Sequence, residues 1–151
     1  MRGEKLYLSP VMDLFNGEII AFETARRPVF KLVETMLSKA LDRLGSGEKP
    51  ILHSDQGWHY QMTAYQRTLE KHDVIQSMSR KGNCLDNAAM ESFFAVLKSE
   101  LFYPTKFASI QSLQSAITDY IHYYNHDRIK MKLKGLSPVQ YRTQPLNLPC
   151  L

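Results

Sequence analysis

Phe15-Asn16-Gly17 stands between two β-rich runs, residues 5–14 (KLYLSPVMDL) and 18–24 (EIIAFET), and this punctuation constrains the fold most. Asparagine followed by glycine tolerates the left-handed backbone that a tight hairpin turn requires. Two antiparallel strands are therefore expected first. Pro10 inside the first run predicts an irregularity in their pairing, because proline cannot donate to a ladder.

The rest of the chain alternates helical and extended patterns. Pro28 opens a helical run in which Val29, Leu32, Val33, Met36, Leu37 and Ala40 recur at helical spacing, ended by Gly45-Ser46-Gly47. Pro50-Ile51-Leu52-His53-Ser54 reads as a short buried strand, residues 63–72 as a helix capped by Thr63, and residues 74–79 as another strand. A polar, glycine-containing loop at 79–83 precedes a helical run over 87–102, with Ala88, Phe94, Leu97 and Leu101 on one side. A long helix over 109–124 follows, and Ser137-Pro138 opens a short one. The order ββαβαβα, with helices appended, predicts an α/β (α+β) mixed sheet covered by helices. One domain over residues 1–142 accounts for it, with 143–151 as a tail.

Composition narrows the function classes. At 44% hydrophobic and 23% charged residues the chain can build a core, which excludes wholesale disorder. No run of 18 apolar residues occurs, and Met1-Arg2-Gly3-Glu4-Lys5 lacks a signal-peptide core, so a soluble protein inside the cell, without a membrane partner, is expected. Cys84 and Cys150 form no CxxC pair, which points to a reducing compartment. A formal charge of +4 permits nucleic-acid binding without establishing it. His122 and His126 share a helix face but lack the glutamate or cysteines of a zinc site, so they read as solvated or DNA-facing.

Two acids carry the chemistry. Asp55 ends the apolar strand Ile51-Leu52-His53-Ser54, a position where open α/β sheets gather ligands. Glu91 lies near the start of the helix over 87–102, with thirty-five residues between it and Asp55. Singly, each has an ordinary reading: a turn aspartate before Gln-Gly, and an acid that complements a helix dipole. Lys98, seven residues after Glu91, falls on the same helix face.

Jointly they are more specific. His53-Ser54-Asp55-Gln56-Gly57, Asn83-Cys84-Leu85-Asp86-Asn87-Ala88, Glu91-Ser92-Phe93-Phe94, Leu97-Lys98, Tyr123-Tyr124-Asn125 with Arg128, and Leu136-Ser137-Pro138 form one pattern. It resembles the catalytic core of bacterial insertion-sequence transposases with a retroviral-integrase-like (DDE) domain. The similarity is to the IS150-like branch of the group whose transposase comes from two overlapping reading frames, and it covers nearly the whole chain. The resemblance implies an RNase H-like fold and a triad of Asp, Asp and Glu holding Mg²⁺, with Mn²⁺ as a substitute. Asp55 would be the second Asp and Glu91 the Glu, both catalytic and metal-binding; Lys98 would contact DNA near the scissile phosphate. It further implies DNA partners (insertion-sequence ends and target), a homo-oligomer or association with full-length transposase, and a cytoplasmic, nucleoid-associated location.

The resemblance also expects a first Asp on a central first strand, ahead of residues 5–14. No acid before Lys5 has that context, and Asp13 reads as a structural residue beside the hairpin turn. The expectation is an N-terminally truncated core whose two inner sheet edges lack partners, and which is inactive alone. The alternative is a non-catalytic remnant that binds DNA or another transposase chain.

Further cations complete the candidate interface. Arg80 and Lys81 lie in the loop before the Glu91 helix. Arg128, Lys130, Lys132 and Lys134 alternate with Ile129, Met131 and Leu133. If extended, that run would present its cations on one side as a strip for phosphates, and if not, it is a solvated amphipathic stretch. Tyr120, Tyr123 and Tyr124 read mainly as packing.

Overall fold

The computed structural model of the chain describes residues 3–55, 57–79 and 87–144. β1 (Tyr7–Met12) and β2 (Ile19–Ala25) form the expected antiparallel hairpin. Its turn is closed by Gly17 N–H donating to Asp13 O at 2.7 Å and Asp13 N–H donating to Glu18 O at 2.9 Å, with Gly17 at φ +78°. The pairing irregularity falls just beyond Pro10: register shifts between Val11 and Met12, and Ile20 is the extra residue on β2. Asn16 is buried, and its amide donates at 3.0 Å to the carbonyl of Pro138, the first residue of α5 (Pro138–Thr143).

Helices cover both faces of the hairpin. α1 (Phe30–Leu41) brings Val33, Met36 and Leu37 against Val11 and Ala21. α3 (Ala88–Leu97) and α4 (Ile110–His126) bring Phe93, Leu113, Ile117 and Ile121 against Ile19, with Leu8, Met12 and Phe22 packed alongside. Strand alternation does this sorting, since successive side chains point to opposite faces. α4 starts at a capping box between Ser109 and Ser112, and α5 at one between Ser137 and Gln140. Thr63 is not the cap expected of it: α2 (Thr63–Lys71) includes it as the first helical residue, after Met62.

β3 (Ile51–Ser54) and β4 (Ile75–Met78) form a second, parallel pair, joined by a 3₁₀ turn (Trp58–Gln61) and α2. The expected mixed sheet is thus two two-stranded sheets, one antiparallel and one parallel. β3 is not the buried strand expected from its composition. Paired Ile51 and Ile75 are 66% and 59% exposed, because among the described residues no layer covers that face.

A cleft of about 850 Å³ separates the two sheets, lined by residues 8–13 on one side and 50–55 on the other. Hydrogen bonds elsewhere tell which backbone groups face it. Ile19 N–H and C=O both turn away from β1, to the Asn125 side chain at 2.9 Å each. Its partner Met12 therefore shares no ladder bond with it, and by the alternation of antiparallel pairs neither do Leu8 and Pro10 with theirs. Those three residues turn their backbone polar groups to the cleft, where Pro10 offers a carbonyl but no N–H. On β3, Ile75 N–H donates to Pro50 O at 3.2 Å and Ser79 N–H to Ser54 O at 2.8 Å, so Ile51 and His53 face the cleft instead. Among the described residues no strand lies between these edges.

Candidate active site and nucleic-acid interface

Asp55 stands at the carboxyl end of β3, exposed, at the mouth of the cleft. Gly57 N–H donates to its Oδ1 at 2.7 Å, and a Cβ on Gly57 would sit 2.9 Å from that oxygen, so a larger residue there would make the Asp55 carboxylate shift. The carboxylate also acts on Tyr60, whose phenol is pushed up first by burial and then by the Asp55 charge.

Glu91 lies in the first turn of α3 and opens onto the same cleft. Three polar residues bring the two elements together. Ser79, just past β4, donates its backbone N–H to Ser54 O at 2.8 Å, and the Asn87 amide donates to Ser79 Oγ at 3.0 Å. Asn87 occupies the N-cap of α3 and makes no cap hydrogen bond, while its amide nitrogen serves this link. Nothing local in the sequence marks Ser79 or Asn87 for the role. Glu91 itself enters no hydrogen bond or ion pair among the described residues.

Lys98 follows α3 at the head of a π-helical turn (Lys98–Phe102), exposed and in no ion pair among the described residues. The basic run downstream is not extended, so of the two readings its alternation allows the single-sided strip does not form. Met131–Leu133 is a 3₁₀ turn, Lys134 adopts φ +58°, and Lys130 bridges back to Leu136. Burial of Leu133 drives the bend, and the cations then diverge.

Arg128 is committed to Glu100, donating from Nε at 2.9 Å and from a terminal nitrogen at 2.7 Å. The Tyr120 hydroxyl donates to the same carboxylate at 2.9 Å. Hydrogen bonding from Arg128 holds Glu100 below the usual carboxylate range, against a smaller opposing effect of burial. Lys130 lies 4.3 Å from the centroid of the Tyr124 ring and hydrogen-bonds its hydroxyl. Burial, then the charges of Arg128 and Lys132, pull this ammonium down. Lys132 and Lys134 remain exposed. Arg80, Lys81 and the loop beyond Ser79 lie outside the described residues. His122 and His126 stack with centroids 4.4 Å apart on the exposed side of α4, and among the described residues no cluster of three potential metal ligands occurs.

A family model described as Integrase core domain matches residues 1–84, and a second with the same description matches residues 91–146. The chain belongs to the integrase core domain family. Within that family its similarity is to insertion-sequence transposases. It is 56% identical over 144 residues to the putative transposase InsK for insertion sequence element IS150 of Escherichia coli (strain K12), covering 95% of this chain and 51% of that protein. An uncharacterized transposase-like protein of Haemophilus influenzae is 60% identical over 143 residues, covering 95% and 66%. The chain therefore spans about half to two thirds of the length of these relatives.

The retroviral integrase fold is shared as well. A chain of the simian T-cell lymphotropic virus intasome, solved in complex with PP2A regulatory subunit B56 gamma, superimposes with TM-score 0.77 at 16% identity, covering 99% of this chain and 52% of that one. The HTLV-2 integrase catalytic core domain, solved in complex with magnesium in a trimeric form, gives TM-score 0.64 at 13% identity, covering 91% and 92%. The integrase core here is thus RNase H-like, with α4 and α5 as its C-terminal helices. No helix among the described residues is long and apolar enough to cross a membrane.

Proposed function

We propose that this integrase core serves DNA strand cleavage and strand transfer in the transposition of an insertion sequence, with Asp55 and Glu91 as its metal-holding acids. The Ser54–Ser79–Asn87 link carries the reading, because it sets the strand end bearing Asp55 against the helix start bearing Glu91. Two carboxylates open to water suit Mg²⁺, an oxygen-seeking ion that keeps several waters and takes only one or two carboxylates. Mn²⁺ accepts the same ligands. When bound, the ion would polarise the phosphoryl group and favour deprotonation of the attacking hydroxyl.

The chain's own residues do the positioning. The Gly57 N–H orients Asp55, and the helix start at Asn87 presents Glu91. Lys98 grips a DNA phosphate two turns beyond Glu91, and Lys132 and Lys134, with Arg80 and Lys81, extend that contact. Arg128 and Lys130 contribute by packing instead, since Glu100 and Tyr124 occupy them. Among the described residues no third acid joins the pair, so the ion is held weakly and this chain alone is expected to be inactive. Its partners are insertion-sequence ends and target DNA, with a second transposase chain, in the cytoplasm at the nucleoid.

Manganese titration followed by water-proton relaxation tests the site. Weak, saturable binding is expected, lost in both Asp55→Asn and Glu91→Gln; variants that bind like the parent chain would sink the assignment. Robust strand transfer on terminal-repeat DNA by this chain alone, with Mg²⁺, would refute its inactivity. The exposed Lys98, Lys132 and Lys134 also fit a module that docks on DNA or on another transposase chain without catalysis. Salt-dependent binding with neither metal uptake nor cleavage would select that reading.

A further inference from the structure

Trp58 is the single tryptophan of the chain and is 55% exposed, three residues past Asp55. One face of its indole lies on the His59 imidazole, with centroids 3.7 Å apart and 28° between the planes. His59 is fixed from below. Its Nε2–H donates to the Pro28 carbonyl at 3.0 Å, which requires the Nε2-protonated tautomer. Its ring meets Tyr60 edge-on at 6.4 Å, and Tyr60 packs on the core residue Tyr65 at 5.4 Å. The stack is therefore anchored to the core, and the remaining indole surface is open to solvent.

The same hydrogen bond brings a basic segment to the stack. Arg26 and Arg27 immediately precede Pro28, both are exposed, and neither guanidinium enters a hydrogen bond or ion pair among the described residues. Two unengaged cations thus lie within two residues of the carbonyl that holds a rigid, half-open aromatic pair, itself close in sequence to a candidate catalytic acid. None of these four residues was singled out by motif or charge clustering in the sequence.

We propose that Trp58, stacked on His59, together with Arg26 and Arg27, forms a subsite for a DNA strand with an unpaired base, adjoining Asp55. The open indole face takes the base and the guanidiniums take neighbouring phosphates. Proteins hold single strands without reading sequence by this combination of stacking platform and cations. A duplex satisfies the cations but keeps its bases stacked on each other, so it leaves the indole unused. The proposal rests on the functional reading above only in taking DNA as the ligand.

Because Trp58 is the sole tryptophan, its emission reports on the subsite directly. The full chain is titrated with a duplex bearing a single-stranded overhang, the same duplex blunt-ended, and the overhang made abasic. The intact overhang is expected to quench the emission and to bind about tenfold more tightly than the abasic one. Trp58→Ala should abolish that preference, while Trp58→Phe keeps part of it. Replacing Arg26 and Arg27 together by alanine should weaken both overhangs and reduce the salt dependence. Equal affinity and unchanged emission for intact and abasic overhangs overturn the proposal. Saturable manganese uptake without quenching would likewise overturn the subsite but leave the proposed metal site standing. Quenching with no saturable manganese uptake would support the subsite and count against the proposed metal site.

Discussion

Glu100 accepts three donors from two side chains, and this arrangement converts a surface acid into a local tie. Arg128 grips it bidentately across 28 residues of sequence, and Tyr120 adds its hydroxyl. The pair joins the π-helical turn after α3 to the end of α4, so it holds the segment that carries Lys98. Both side chains remain partly open to water, which limits the contribution to about 0.5–1 kcal/mol. The pH dependence follows from the direction of the shift. A carboxyl lowered on folding adds stability that is present above its unfolded value, near about 4.3, and that is lost as pH falls through the folded value. Arg128→Ala should therefore destabilise the chain at pH 7, and much less in acid, where Glu100 is protonated in both states. Carboxylate chemical shifts should also show Glu100 returning toward its ordinary range in that variant. An equal loss of stability at both pH values would mean that packing, not charge, is what Arg128 contributes. The residue scale was also the least legible in sequence: Arg128 sits in a cationic run, and only its distant partner takes it out of that run.

The elements show where sequence patterning sufficed and where it did not. Asn16-Gly17 announced the hairpin, and helical spacing announced α1, α3 and α4, because each signal acts within a few residues. The basic run at 128–134 admits two readings because alternation alone does not choose between an extended strip and a bend. Burial of Leu133 and the left-handed Lys134 chose the bend. Asn125 shows a tie between elements that local patterning does not reveal. It reads as one polar residue near the end of α4, yet its amide pairs with both backbone groups of Ile19, 106 residues away. It thereby caps the outer edge of β2 at a point where α4 covers it. Asn125→Ala would strand a buried N–H and a buried C=O, at about 1–3 kcal/mol each. The expected loss is about 2–4 kcal/mol in urea unfolding, with the denaturant slope unchanged because the same surface is exposed. A loss below 1 kcal/mol would mean that water replaces the amide and that the cap is dispensable.

At the scale of the whole molecule, the chain is two small sheets held in place by helices rather than by each other. The acids could be read from the sequence because strand ends and helix starts are local features. Which edges would face each other across a gap is set by α1 and α2 sharing one core and by the Ser79–Asn87 link to α3, and strand alternation is silent about it. The consequence is an uneven protection of the backbone. Val11 N–H lies in a ladder pair with Ala21, whereas Leu8 and Met12 point their amides into the cleft, as Ile51 and His53 do from the other side. Pro10, placed between Leu8 and Met12, removes one donor from an otherwise open edge and so lowers its tendency to pair with foreign strands. Native-state hydrogen exchange should separate the two sets within single strands. The amides of Leu8, Met12, Ile51 and His53 are expected to exchange by local access to the cleft, while Val11 and Leu52 exchange only when their sheets open. Alternating slow and fast amides along β1 would establish an open edge in solution. Uniform protection along β1 and β3 would mean that the edges are paired, by each other or by a second copy, and equal protection at all concentrations would point to the former.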